Sequence, residues 1–251
     1  MKNDTSWEKV AGWYDGLLCG EGTYQKELIL PNLLRLMDLR RNETVLDLAC
    51  GQGFFSREFF KKGIRAVIGV DTSRTLIGIA RKNSPKEINF HSAPADSLPF
   101  IKTATIDKIA IVLALQNIQN VADVLRECSR VLSGTGMVYI VMNHPAFRIP
   151  KASSWGWDEQ AQVQYRRIDR YLSDLKIEID MHPGKKMSEK TLSFHRPLQF
   201  YFKMMNKAGF SVSALEEWNS HKASQPGPRA QAEDRARKEI PMFLCLVARK
   251  L

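Results

Sequence analysis

Two acids and a glycine turn carry the chemistry of this chain. Val45-Leu46-Asp47-Leu48-Ala49-Cys50-Gly51-Gln52-Gly53 is an apolar run that ends in an acid, then in glycines. A second apolar run closes in Gly69-Val70-Asp71-Thr72. Glycines let backbone approach a ligand with no Cβ between them. Asp71 stands about twenty residues past the turn, where a ribose-binding carboxylate belongs. The pattern predicts a nucleoside-binding α/β domain.

A dinucleotide cradle requires G-x-G-x-x-G, the third glycine serving helix–strand packing. After Gly51 and Gly53 this chain has Phe54, Phe55 and Ser56, so the pyrophosphate match is poor and a dehydrogenase is a remote reading. The phosphate loop G-x-x-x-x-G-K-[ST] is absent.

The run Asp47 to Gly53 resembles motif I of the class I S-adenosylmethionine-dependent methyltransferases, of the small-molecule, methyltransferase type 11-like kind. Asp47, Cys50, Gly51 and Gly53 match, and Ala49 replaces the first glycine. Gly69-Val70-Asp71-Thr72-Ser73 resembles the second-strand motif, whose acid binds the ribose. Ala95-Asp96-Ser97-Leu98-Pro99-Phe100 resembles the third-strand loop that frames adenine. Ile106–Ile118 resembles the fourth strand and its exit through Leu113, and Leu125–Gly136 the helix and turn into the fifth. The resemblance spans most of residues 7–143 in order. It implies S-adenosyl-L-methionine as cofactor, held by Asp47, Ala49, Gly51, Gly53, Asp71, Thr72, Ala95, Asp96 and Leu113. It also implies an N-terminal segment closing over the cofactor through Tyr14-Asp15. Many relatives carry an acid just before the alanine of the third loop. Here Pro94 stands there, and the resemblance implies that Asp96 takes that role beside the Ala95 N–H.

The elements that must position these residues follow from periodicity. Thr44–Leu48, Ala66–Val70, Ile88–His91, Ile106–Leu113 and Met137–Met142 read as strands. They alternate with helices over Gly53–Lys62, Ser73–Lys82 and Val121–Leu132, the last closed by Ser133-Gly134. Apolar strands alternating with helices imply a parallel sheet buried on both faces. Ligands bind beyond the carboxyl ends of such strands, where Gly51, Asp71, Asp96 and Leu113–Gln116 all fall. Helices are also expected over 7–18 and 24–39, then Leu198–Ala208, a strand Phe210–Trp218, a polar loop with a short helix over Ser220–Lys238, and a last strand Met242–Ala248. The resemblance implies that this strand enters antiparallel. The expected fold is α/β, a Rossmann-like seven-stranded sheet of six parallel strands and one antiparallel, flanked by helices. The expected organisation is a lid over 1–40, the cofactor core over 41–142, a cap over 143–197 and the rest of the core sheet over 198–251.

The cap stretch is more than a minimal fold needs between a strand and the next helix. It leaves the sheet at the ligand edge, so it is expected to wall a substrate pocket. Ile177–Met181 and Thr191–His195 alternate like a hairpin across His182-Pro183-Gly184. Trp155 and Tyr165 are candidates to stack a planar substrate, and Arg196 to bind an anion. His144 and His195 are candidate general bases, since imidazole suits proton removal near neutral pH. Methyl transfer from a sulfonium is an in-line displacement that relies mainly on alignment.

The formal charge is +10, with Lys and Arg spread over 251 residues. Nucleic acid is a possible partner on charge alone. The loop Leu113-Ala114-Leu115-Gln116-Asn117 lacks the Asn/Asp-Pro-Pro-aromatic pattern of base-amine enzymes, which disfavours it. No apolar run reaches the ~20 residues of a membrane span, and Met1–Trp7 has no apolar signal region, so a cytoplasmic protein is expected. Cys19, Cys50, Cys128 and Cys245 are scattered, giving neither a zinc site nor a disulfide framework. The leading reading is a methyltransferase acting on a small molecule. Its rivals are a nucleic-acid methyltransferase and a non-catalytic S-adenosylmethionine-binding protein.

Overall fold

The computed structural model describes Glu8 and residues 20–180 and 190–251. The expected helix over 7–18, Tyr14 and the turn His182-Pro183-Gly184 lie outside the described residues.

A π-helical turn Gln25–Ile29 runs into α1 (Leu30–Met37), where one helix was expected. Pro31 sits in the first turn of α1 and offers no N–H to the turn before it, which accounts for the change of winding. Asp38 ends the helix in the left-handed region (φ 42°). The buried Lys108 ammonium donates to the Met37 and Asp38 carbonyls and pairs with Glu43 at 2.9 Å, fastening this end to the sheet.

The core then alternates as its apolar runs require: β1 (Thr44–Leu48), α2 (Phe54–Phe60), β2 (Ala66–Asp71), α3 (Arg74–Lys82), β3 (Asn89–Ser92), β4 (Ile106–Val112), α4 (Val121–Val131) and β5 (Leu132–Asn143). Helix α4 passes straight into β5, without the Ser133-Gly134 stop expected. Leu132 already pairs with Ile106, and the register shifts before Lys108 meets Met137, so Ser133–Gly136 bulge inside the strand. Two hairpins follow, β6 (Ser153–Asp158) with β7 (Val163–Ile168) and β8 (Leu175–Asp180) with β9 (Lys190–His195). Then come α5 (Leu198–Lys207), β10 (Phe210–Trp218), α6 (Ala230–Glu239) and β11 (Phe243–Lys250).

The seven-stranded sheet runs β10-β11-β5-β4-β1-β2-β3, with β11 antiparallel to both neighbours and the rest parallel. Alternation divides the core between two faces. Leu46, Leu48, Ile109 and Ile111 pack with α4 and α5, while Val45, Ala110 and Val112 pack with α1, α2 and α3. Chain order reverses between β1 and β4, so a crevice opens at their carboxyl ends. No described helix is long and apolar enough to cross a membrane.

Candidate active site

Beyond β1 the chain turns through positive φ at Ala49 (61°), Gly51 (55°) and Gly53 (79°). The Cys50 N–H donates to the Val70 carbonyl (2.9 Å) and the Gly53 N–H to the Cys50 carbonyl (3.0 Å), folding the loop against the end of β2. A Cβ on Gly53 would stand 2.9 Å from the Phe90 ring, and one on Gly69 2.5 Å from it. The buried Phe90 on β3 thus requires both positions to lack a side chain. Ala49 holds a left-handed conformation that costs a non-glycine residue free energy, the kind of strain retained at ligand sites.

Asp71 accepts the Gly51 N–H at Oδ2 and the Ser73 N–H at Oδ1, each at 2.9 Å. A carboxylate oxygen accepts two bonds, so each keeps a place for a hydroxyl. Burial pushes the Asp71 carboxyl up, and the backbone amides oppose that rise. Asp47, 1 % exposed, accepts the Ser56 hydroxyl at 2.5 Å. Burial raises its carboxyl to about 7, and the Ser56 hydrogen bond works against that. Glu8 adds a third acid at the first turn of α3. It accepts from the Ser73 hydroxyl (2.6 Å), the Thr75 hydroxyl (2.5 Å) and the Thr75 N–H (3.1 Å). These bonds, the Ser73 one foremost, hold its carboxyl below the usual range.

The loop after β3 is fixed from both sides. The Ala93 N–H donates to the Asp71 carbonyl (3.0 Å) and the Leu98 N–H to Glu127 (2.7 Å). Arg130, paired with Glu127, donates to the Leu98 carbonyl (2.8 Å) and the Ile101 carbonyl (3.0 Å). Leu113 ends β4 at φ 54°, and its carbonyl accepts the side-chain amides of Gln116 (2.9 Å) and Asn117 (3.3 Å).

One cavity of about 400 Å³ opens at this edge. Asp47, Ala49, Gly51, Asp71, Thr72, Ala95, Asp96 and Leu113 all line it. Gly53 does not; its part is the turn. Pro94 lines the cavity too, so the residue that departs from the usual pattern still faces the ligand space. The positive-φ cradle, the lone pairs left on Asp71 and a volume in the range of small-molecule sites fit a nucleoside cofactor.

The remaining wall is made by side chains that the sequence did not single out. Residues 117–120 after β4 line it, with Lys176, Leu192 and Phe194 from the second hairpin. Lys176 stands opposite Phe194 in register, and Leu192 two residues away on the same face. The alternation of that hairpin was visible in the sequence. Which face looked into the cavity was not.

The other candidates are held elsewhere. His144 takes the Ala146 N–H at Nδ1 (3.2 Å), so Nε2 carries the proton and donates to Glu217 (2.7 Å). Burial lowers its pKa, and its one acceptor nitrogen is already used. His195 donates from Nε2 to the Tyr171 carbonyl (2.8 Å) and is likewise lowered by burial. Arg196 donates to the carbonyls of Ile118 (3.1 Å) and Gln119 (2.7 Å), with the Phe194 and Phe200 rings each 5.1 Å from its guanidinium carbon. It clamps the cavity loop to the cap in place of binding an anion. Trp155 and Tyr165 lie on the first hairpin, outside the cavity lining. Tyr165 covers Gly156, where a Cβ would meet its ring at 2.3 Å.

The methyltransferase-domain family matches residues 46–140. The demethylmenaquinone methyltransferase of Thermotoga maritima is 30 % identical over 173 residues, 68 % of this chain and 71 % of that protein. The biotin biosynthesis bifunctional protein BioHC of Cellvibrio japonicus is 26 % identical over 69 % of this chain, which spans only 32 % of its length. A crystal structure of an S-adenosylmethionine-dependent methyltransferase from Mesorhizobium loti superposes with a TM-score of 0.70 at 27 % identity, over 87 % of this chain and 96 % of that one. The chain belongs to the class I S-adenosylmethionine-dependent methyltransferases. It is a methyltransferase with S-adenosyl-L-methionine as its methyl donor.

Proposed function

We propose that the acceptor is a small molecule, bound beside the cofactor in the half of the cavity walled by Leu113, Ala114, residues 117–120, Leu192 and Phe194. The observation that carries this reading is the division of the lining. Acids and positive-φ turns stand at the ends of β1 and β2, and mainly apolar side chains face them from the cap. A relative that methylates demethylmenaquinone, as its name says, supports an acceptor of modest size.

The bound cofactor supplies a methyl group already activated on a sulfonium, so alignment is the main demand on the chain. Asp71 takes the ribose hydroxyls, and its bonds to Gly51 and Ser73 fix it before any ligand arrives. Ala49 and Gly51 bring backbone against the cofactor, and Gly53 makes the turn possible. Ala95 and Asp96 frame the adenine, with Pro94 beside them and Thr72 next to the ribose. Asp47 faces the amino group of the methionine moiety, where a cation favours its ionised form. Leu113 and the loop it starts orient the acceptor for in-line displacement, and the cap excludes water. Tyr14 would complete the lid. The lid expected over 1–40 is narrower in this reading: α1 buries Leu33 and Met37 in the core and Lys108 fastens its end to the sheet, so 20–142 with 198–251 make the core, 143–197 the cap, and 1–19 are left for the lid. A cytoplasmic setting accords with three buried free thiols, Cys50, Cys128 and Cys245.

Calorimetry with S-adenosylhomocysteine, beside an NAD control and an Asp71→Ala variant, tests the cofactor half. Uptake of a tritiated methyl group from labelled cofactor into metabolite fractions, with total RNA as the rival acceptor, tests the other. Label in a small-molecule fraction is the expected result. Label in RNA alone, or tight binding with no uptake anywhere, would overturn the reading.

A further inference from the structure

Two guanidiniums at the first hairpin of the cap, one on it and one beside it, have no carboxylate partner among the described residues. The Arg148 side chain, in the turn after β5, makes no hydrogen bond or ion pair among the described residues, and its Nε is buried without a partner. Arg166 lies on β7 directly opposite Trp155 on β6. It donates to the Phe147 carbonyl and the Ser153 hydroxyl, each at 2.8 Å and each neutral. The guanidinium carbons of Arg148 and Arg166 stand 5.8 and 5.1 Å from the Trp155 ring centre.

Nearby acids are committed elsewhere: Glu217 to His144, Glu159 to Arg229 and Asp169 to Arg167. The same face of the hairpin carries Trp157 Nε1 and its cross-strand neighbour Gln164 Oε1, both buried without partners. With Arg148 Nε these are three of the six such side-chain atoms among the described residues. Native proteins leave few buried polar atoms unpaired, so two on one hairpin face and a third beside Trp155 point to a ligand. None of these residues lines the cofactor cavity.

We propose that Arg148 and Arg166, flanking Trp155, form a second binding site that takes the dianionic group of a phosphate monoester. Two guanidiniums sum to a double positive charge, which a phosphate dianion balances and a single carboxylate does not. Their forked donors suit phosphoryl oxygens. Burial lowers the pKa of both, and the charge of Arg148 lowers that of Arg166 further, as expected of cations lacking a counter-ion. The indole of Trp155 covers one side, and the free Trp157 and Gln164 groups supply a donor and an acceptor for the rest of the molecule.

Inorganic phosphate and phenyl phosphate are titrated into protein saturated with S-adenosylhomocysteine, at fixed ionic strength, by calorimetry and tryptophan emission. Both should bind at one saturable site, at least tenfold more tightly than benzoate. Arg148→Gln and Arg166→Gln should each weaken phosphate at least tenfold with S-adenosylhomocysteine affinity unchanged. The Arg148 guanidinium makes no hydrogen bond and the substitution keeps the backbone bond to the His144 carbonyl, so Arg148→Gln should melt no lower than the wild type in phosphate-free buffer and lose the phosphate-induced rise. No saturable binding, equal affinity for benzoate, or undiminished binding in Arg148→Gln would overturn the proposal. A lower melting temperature of that variant without phosphate would overturn it too. Sedimentation with phosphatidylcholine vesicles containing phosphatidic acid separates the two sources of the group. Retention that Arg148→Gln abolishes assigns a lipid headgroup, and phosphate binding without retention assigns a soluble phosphate; each supports the site.

Discussion

The carboxyl edge of β1–β4 and the cap after β5 face the same cavity, but they are built by different means. At the sheet edge, backbone makes the site. Ala49, Gly51 and Leu113 hold positive φ, and Asp71 fastens two amide N–H groups. In the cap, side chains on one face of a hairpin make it, with Lys176, Leu192 and Phe194 set by strand alternation. Backbone geometry tolerates few residue types, whereas an apolar wall tolerates many. The two halves should therefore answer mutation differently.

The largest difference is expected at Asp71. In Asp71→Ala the proposed ribose acceptor is lost, and the Gly51 and Ser73 amides lose their partner in a buried site. Calorimetry should show S-adenosylhomocysteine affinity falling roughly 100-fold or more, of the order expected when a buried charged partner is removed. Tyr165→Ala should leave that affinity unchanged. Equal losses in both would break the distinction between the regions.

A matched pair of glycines sharpens it. A Cβ on Gly69 would meet the Phe90 ring at 2.5 Å, and one on Gly156 the Tyr165 ring at 2.3 Å. Phe90 is 5 % exposed and walled in, while Tyr165 is 47 % exposed and can swing aside. Gly69→Ala should cost ~1–3 kcal/mol through overpacking. Gly156→Ala should cost under ~0.5 kcal/mol. Denaturant unfolding of the two variants compares them directly.

Asp47 separates the regions by pH. Its folded pKa of about 7 lies above the ordinary carboxyl value. The folded protein therefore keeps a proton that the unfolded chain releases. That contribution to stability is present at low pH and is lost as pH climbs from about 4 to about 7. Binding of a cationic amino group favours the ionised carboxyl. S-adenosylhomocysteine affinity should thus rise about tenfold as pH goes from 6 to 8, and Asp47→Asn should flatten that rise. A rise that survives the substitution would remove Asp47 from this role.

These effects also mark what the sequence could tell. The core strands and their alternating helices were legible because buried parallel strands read as apolar runs, and the acids at their ends mark the ligand edge. Phe210–Trp218 was placed to the residue. The bulge over Ser133–Gly136 was hidden, because glycines that stop a helix also serve inside a strand. His144, His195 and Arg196 were ambiguous in the sequence for a different reason. Their types suit catalysis, but here each is hydrogen-bonded to a carbonyl, carboxylate or amide. Only the partner, which lies far along the chain, tells those roles apart.

Phe194→Ala removes apolar wall from the cap and nothing from the sheet edge. KM for the acceptor should rise about fivefold, near the value of partly lost side-chain burial, with cofactor affinity unchanged. A change in cofactor affinity would mean that the cap and the glycine loop share one ligand space without division.

Arg196 joins the two regions, so its effect should be the smallest and the most mixed. Its guanidinium donates to the Ile118 and Gln119 carbonyls from the exit of β9, between two phenyl rings. Arg196→Met keeps the apolar stem and the ring contacts but removes both donors. The Ile118–Gln119 loop then loses its tie to the cap, while Gln116 and Asn117 still hold the Leu113 carbonyl. Acceptor KM should rise about two- to threefold, the size of one lost net hydrogen bond, with kcat and cofactor affinity little changed. A wall held in place by the cap predicts that split if the loop, as proposed, lines the acceptor side. A fall in kcat with KM unchanged would instead give Arg196 a part in the reacting geometry. The line between the two regions would then run through the loop after β4.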